Sequence, residues 1–234
     1  MTDQMRTQWL FIQAQDVWMF RDSKPFAAAQ SFVARSIFPP TPQTMQGAIR
    51  TAYLEQRGGR WSEYANGRID TETSAAIGLP ARKDTAASFG TLELDGPYIA
   101  RKKEDGAITR LVQMPLDVLY NKDKHQYVSL MPDQDPGFVS NAVEGWTPLV
   151  STPQAGDCEE ATGWLDDDEF AHYLKGNVPQ TVVKQAEIYG YDERVGLALD
   201  YSKRVNQPSM FYHAHFIRPA EDIGLLVGLK NATL

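Results

Sequence analysis

Cysteine is nearly absent. Cys158 stands alone among 234 residues, so no intrachain disulfide can form and a reducing compartment, the cytoplasm, is expected. That one thiol lies in a run of acids, which would raise its pKa rather than activate it, and it has no second cysteine with which to build a zinc site. Neither an HExxH pair nor a phosphate-binding P-loop occurs, so no metal and no cofactor are expected. Long apolar runs are missing too. Stretches such as Leu225-Leu226-Val227 fall far short of the roughly 18 residues of a membrane span. Met1 to Gln15 has no basic segment leading into an apolar core, so a secretory signal is not expected there. No internal repeat or sustained heptad is present, which excludes solenoids and coiled coils.

What is present is ordinary globular material. A composition of 42% hydrophobic and 23% charged residues supplies a core and excludes fibrous or wholly disordered chains. The net charge of −7 argues by itself against a nucleic-acid partner, but it is unevenly spread. Residues 1–60 carry +3, residues 61–190 carry −10, and residues 191–234 are neutral. A basic surface built from the two ends therefore stays open.

Thr7 to Asp16 alternates, with Trp9, Phe11 and Gln13 on one face and Leu10, Ile12 and Ala14 on the other, which predicts a strand. Pro39, Pro40 and Pro42 force an extended entry into a helix from Gln43 or Thr44 to about Gln56, with Thr44 as its N-cap. Beyond Trp61 the signals are short and irregular, with a helix expected over 71–77 and a strand over 107–112. Asp157 to Glu169 is strongly acidic and reads as a solvated face, a mobile loop or a partner surface. Order returns with strands over 195–201 and 209–218, joined by a polar turn carrying Lys203 and Arg204, and a last strand over 223–229. Strand, helix, long insertion, hairpin and strand predict an α+β domain of ferredoxin-like type. It is expected to be discontinuous, from 1–60 and 190–234, around an acidic irregular insertion over 61–189.

Two groups of residues carry chemistry. His213 and His215 sit two apart in a predicted strand and share a face with Phe211 and Ile217. They read as structural imidazoles, as RNA contacts, as ligands of a metal, or as the acid and base of a ribonuclease. The segment Phe20-Arg21-Asp22-Ser23-Lys24-Pro25-Phe26 places two cations and two aromatics around a turn. Such residues hold phosphates and stack on, or pack beneath, an unpaired base. The helix starting near Thr44 adds backbone N–H groups, and Arg50 lies two turns into it. The competing reading makes Arg21–Asp22 a local ion pair and Phe26 a core residue.

The run Phe20 to Phe26 resembles the F-R-D-x-x-P-F signature near the start of the third Cmr subunit family of type III-B CRISPR effector complexes. Phe38-Pro39-Pro40-Thr41-Pro42-Gln43-Thr44-Met45-Gln46-Gly47-Ala48-Ile49-Arg50 is similar to that family's F-P-P-x-P-x-T-x-x-G-A-x-R block. Arg194-Val195-Gly196, Phe211-Tyr212 and Phe216-Ile217-Arg218 resemble its later strand and hairpin. The resemblance implies a RAMP-superfamily protein of ferredoxin-like (RRM-like) fold. It further implies a non-catalytic subunit that grips the 5′ repeat-derived tag of the guide RNA and docks the large palm-domain subunit and a backbone subunit. Family members run longer, so a second C-terminal half is expected to be missing. RNA contacts are expected from Phe20, Arg21, Lys24, Phe26, Thr44, Arg50 and Arg204, with no membrane partner. The rival expectations are a metal-independent guide-RNA-processing endoribonuclease and a purely protein-binding structural subunit.

Overall fold

The alternation near the N-terminus resolves into a strand, β1 (Gln8–Ile12), in a computed structural model that describes residues 7–24, 32–132, 149–150, 156–200, 202–203, 205–231 and 234. β1 pairs antiparallel with the strand expected at 223–229, which forms as β13 (Ile223–Lys230). β13 pairs on its other side with β3 (Glu93–Lys102). Leu225, Val227 and Leu229 of β13 are fully buried against one helix face, and Leu10 and Ile12 of β1 pack beside them. The opposite face of β1 is also used. Trp9 lies beside Gly228 and Phe11 beside Gly224, both positions where a Cβ would meet the ring. Glycine on the central strand thus makes room for two aromatic rings on its edge neighbour.

The helix over that sheet is α1 (Pro42–Gln56), and Met45, Ile49 and Tyr53 recur every four residues to form its buried stripe with Leu54. Its N-cap is Thr41 rather than Thr44. The Thr41 Oγ1 accepts the Thr44 N–H at 3.3 Å, and Pro42 occupies the first helical position. The expectation erred because it counted Pro42 as a barrier; a proline at that position loses no helical hydrogen bond and is pre-set for the helix. Two further helices, α2 (Trp61–Ala65) and α3 (Thr71–Ile77), follow. α3 spans the residues expected and is capped by Asp70, whose carboxylate accepts the Thr73 N–H at 2.8 Å. Ala76 and Ile77 complete the core beneath α1.

β3 was not foreseen, because its Gly96-Pro97 centre reads as a breaker. In the structure that dipeptide is a bulge: β3 uses two residues between Asp95 and Tyr98 where β13 uses one, and Gly96 has φ of 100°. The predicted hairpin is present and longer than expected. It consists of β11 (Tyr189–Asp200) and β12 (Val205–Pro219), joined across residues 201–204, and β2 (Val33–Ala34) adds parallel to β12. These elements make one compact unit, Met1–Lys102 with Tyr189–Leu234.

A second unit spans Lys103–Ile188. It contains β4 (Ile108–Gln113) paired with β10 (Trp164–Asp166), a sheet of β5 (Val118–Asn121) between β6 (Gln126–Ser129) and β9 (Cys158–Glu160), a short pair of β7 (Met131–Pro132) with β8 (Leu149–Val150), and the helix α4 (Asp167–Tyr173). The described residues of 61–189, expected to be irregular, thus hold a series of short helices and strands, and 61–102 supply α2, α3 and β3 of the first unit. Strands of two to six residues are too short to show a period in sequence. The acidic run is likewise ordered. Asp166 caps α4, Asp167 pairs with Arg110 at 2.8 Å, Glu169 accepts the N–H groups of Gln180 and Thr181, and Lys122 meets Glu159 at 3.1 Å.

The whole is a mixed α/β structure of several antiparallel sheets and few helices. No helix among the described residues is long and apolar enough to cross a membrane. The cap assignment is open to a direct measurement. Thr41→Ala is expected to lower the unfolding free energy by about 1 kcal/mol in urea titrations. Thr44→Ala, which keeps the cap oxygen, is expected to lower it by less.

Candidate nucleic-acid interface

The two signature blocks meet in space. Asp22 N–H donates to the Arg35 carbonyl at 3.0 Å and Ile37 N–H to the Phe20 carbonyl at 2.8 Å, with Arg21 bridging Ser36. This short antiparallel ladder runs from the first block to the threshold of the second. The same segments are fastened to β12. Trp18 and Ile217 exchange hydrogen bonds of 2.9 and 2.8 Å, and His213 N–H reaches the Phe32 carbonyl at 2.6 Å.

Aromatic rings fill the space behind the ladder. Phe38 stacks on Trp18 at 5.6 Å and meets Tyr189 edge-on at 4.8 Å, while Phe20 lies 6.0 Å from Trp18 and 6.5 Å from Phe38. Phe20 and Phe38 also pack against the core beneath α1. Burial pushes the Tyr189 phenol up to about 12, with Tyr191 adding to the shift, so it remains protonated at neutral pH. Phe20 is thus a half-buried packing residue that props the cations beside it.

Those cations face outward. Arg21 and Lys24 are exposed, and neither has an ion pair among the described residues. Asp22 is occupied otherwise, accepting the Lys24 N–H at 3.3 Å. Arg35, the cation that precedes the proline run, is exposed in the same ladder, and the pairing of residues 20–22 with 35–37 brings it beside Arg21. Arg50 is placed differently. Its guanidinium donates to the Phe89 carbonyl at 2.6 Å and its Nε is enclosed without a partner, so it ties α1 to the segment preceding β3. Thr44 is exposed on the first turn of α1. Because Pro42 has no N–H and Thr41 takes the Thr44 N–H, that turn offers fewer donors than a helix end without proline. Phe26 and Arg204 lie outside the described residues.

The hairpin has two different faces, since residues opposite each other in antiparallel strands share a face. One face carries a charged cluster. Asp192 accepts from Arg194 and Arg218, and Asp16, from the segment after β1, pairs with the same two arginines at 2.8 and 2.9 Å. Arg194 also lies over the Phe216 ring at 4.9 Å. On this face the Tyr212 ring crosses where a Cβ at Gly196 would stand, so glycine lets the ring lie flat there. The other face carries Tyr191, Glu193, Val195 and Leu197 opposite Ile217, His215, His213 and Phe211. His213 meets Phe211 edge-on at 4.7 Å, and His215 lies 3.6 Å from Glu193. Among the described residues no three His, Cys, Asp or Glu side chains converge to hold a metal ion.

The charged cluster gives the hairpin an acid-sensitive base. Hydrogen bonds from Arg194 and then Arg218 lower the Asp192 carboxyl to about 2, from an ordinary value near 3.8. A depressed folded-state pKa contributes stability above the unfolded value and loses it as pH falls through the folded value. The difference in urea midpoint between the wild type and Asp192→Asn is therefore expected to be constant from pH 7 to about 4. It is expected to shrink between about pH 4 and 2; a difference that does not narrow there contradicts the assignment.

A family model described as CRISPR-associated protein (Cas_Cmr3) matches residues 10–233. No curated protein matches the sequence. Among solved structures, a chain from the cryo-electron microscopy structure of the type III-B Cmr-β complex bound to cognate target RNA and AMPPnP is similar, with 13% identity and a TM-score of 0.46. The match covers 96% of the present chain and 54% of that one, so the present chain spans about half its length. The family match takes in both early blocks, the hairpin and β13, and on it the chain belongs to the Cmr3 family of CRISPR-associated proteins.

Proposed function

We propose that this chain is a non-catalytic guide-RNA-binding subunit of a type III-B Cmr ribonucleoprotein, acting in the cytoplasm. In this reading the first unit is a RAMP domain of ferredoxin-like descent that grips the 5′ repeat-derived tag, and the acidic region within 61–189 faces protein partners. Those partners are the large palm-domain subunit and a backbone subunit. Arg21, Lys24, Arg50 and Arg204 hold phosphates, Phe20 and Phe26 pack beneath or stack on the strand, and the Thr44 turn contributes backbone N–H groups.

The observation that carries the reading is the ladder between residues 20–22 and 35–37. It joins the segments bearing the family signature and leaves Arg21, Lys24 and Arg35 exposed on a rigid aromatic base. Cations set on a fixed frame suit a phosphate backbone, because little ordering is needed on binding. His213 meets Phe211 and His215 meets Glu193, and this reading gives neither imidazole a catalytic role.

Charge reversal tests this. In a complex purified with its co-encoded partners, Arg21→Glu with Lys24→Glu is expected to lower retained guide RNA. It is also expected to flatten the dependence of log affinity on log salt by about two units of slope, one per lost phosphate contact. Unchanged retention together with an unchanged slope defeats the proposal. Partner proteins retained by the wild type with no RNA at all would assign the chain a structural role instead.

A further inference from the structure

The face of the hairpin opposite the charged cluster holds a cavity of about 250 Å³ lined by Arg35, Ser36, Tyr191, Glu193 and His215. Its walls come from three neighbouring strands. Glu193 stands opposite His215, and the parallel register of His213 with Val33 and Ala214 with Ala34 carries Arg35 alongside His215. A carboxylate, an imidazole and a guanidinium therefore form one row across the sheet.

Three features of this cavity are open to a ligand. The Ser36 hydroxyl is enclosed yet has no hydrogen-bond partner. An enclosed hydroxyl left unpaired is costly, and such groups call for a partner from outside the fold. Arg35 is exposed with no ion pair among the described residues. Tyr191, near the start of the edge strand β11, leaves 60% of its surface open, and Val195, Leu197 and Phe211 extend that exposed apolar strip. An open aromatic at the mouth, donors and acceptors inside and a free cation at the rim are the parts with which proteins hold an unstacked base. The volume lies just below the roughly 300–1,000 Å³ of pockets for drug-sized molecules, which suits one base rather than a string of nucleotides.

We propose that this cavity receives a single unstacked base of the bound strand, and that Glu193 selects guanine there. The inference rests on the RNA-binding reading above and adds to it a site on a different part of the surface. The selection follows from the donor pattern. Guanine presents N1–H and N2–H side by side, matching the two oxygens of one carboxylate. Adenine and cytosine offer an amine beside an acceptor nitrogen, and uracil sets one N–H between two carbonyl oxygens, which a carboxylate repels. Tyr191 supplies the stacking surface, Ser36 Oγ gains its missing partner from the base, and Arg35 meets the adjoining phosphate.

Three labelled RNA octamers test the site against the full chain by fluorescence anisotropy: oligouridine, and oligouridine with one central guanosine or one central inosine. Inosine keeps N1–H and lacks the N2 amine. The wild type is expected to bind the guanosine octamer about tenfold tighter than oligouridine, with inosine between them. Glu193→Gln is expected to collapse the guanosine-to-inosine affinity ratio toward one, and Ser36→Ala and Tyr191→Ala to reduce the guanosine advantage over oligouridine. Equal binding of all three octamers by the wild type overturns the base site while leaving the RNA-binding reading standing. A guanosine preference that survives Glu193→Gln overturns the role of Glu193. No binding of any octamer overturns the RNA-binding reading and this site with it.

Discussion

Burial of one strand governs the first unit. β13 lies between β1 and β3 and pairs with both, and Leu225, Val227 and Leu229 are buried beneath α1. Each fully buried aliphatic side chain contributes roughly 1.5–3 kcal/mol, so these three with Met45, Ile49 and Leu54 above them are a major part of what holds the unit together. The geometry of the candidate interface is downstream of that contact. α1 is fixed by its stripe on β13, Thr41 and Phe38 are fixed by α1, and the ladder that presents Arg21 and Arg35 is anchored on Phe38 and its neighbouring rings.

The charge pattern of the sequence finds two uses. In the second unit, acids that look like a solvated run are consumed locally, by the α4 cap, by Arg110, by Lys122 and by the backbone of residues 180–181. In the first unit, Asp16, Asp192, Arg194 and Arg218 neutralise one another at the hairpin base, while Arg21, Lys24 and Arg35 are left outward-facing. The same residue types thus serve cohesion in one place and recognition in another. Net charge, which averages the two, is a poor guide to either.

Elements with a strong local signal were legible in the sequence. α3 spans 71–77 as its residues imply, α1 shows its four-residue stripe, and β13 and the hairpin stand out as apolar runs. The resemblance seen in residues 20–26 and 38–50 extends through a family match over 10–233. What was hidden depended on partners far along the chain. β3 is interrupted by a glycine–proline bulge that makes sense only against β13, more than a hundred residues later. Arg50 is held by a carbonyl 39 residues away, and the row of Glu193, His215 and Arg35 exists only once the register of three strands is set. The helix start was missed for a smaller reason: the role of a proline depends on which turn position it occupies.

The central place of β13 sets the order of events during synthesis. Its partners are residues 8–12 and 93–102, so a ribosome completes both flanking strands long before the one that joins them. Until residue 230 has left the exit tunnel, Leu10, Ile12 and the inner face of α1 have no sheet to close against, and β1 and β3 present unpaired edges. Contacts of such long sequence separation slow folding and prolong that exposure. Closure of the first unit therefore waits for β13 to emerge, and the nascent chain carries these unpaired surfaces until it does.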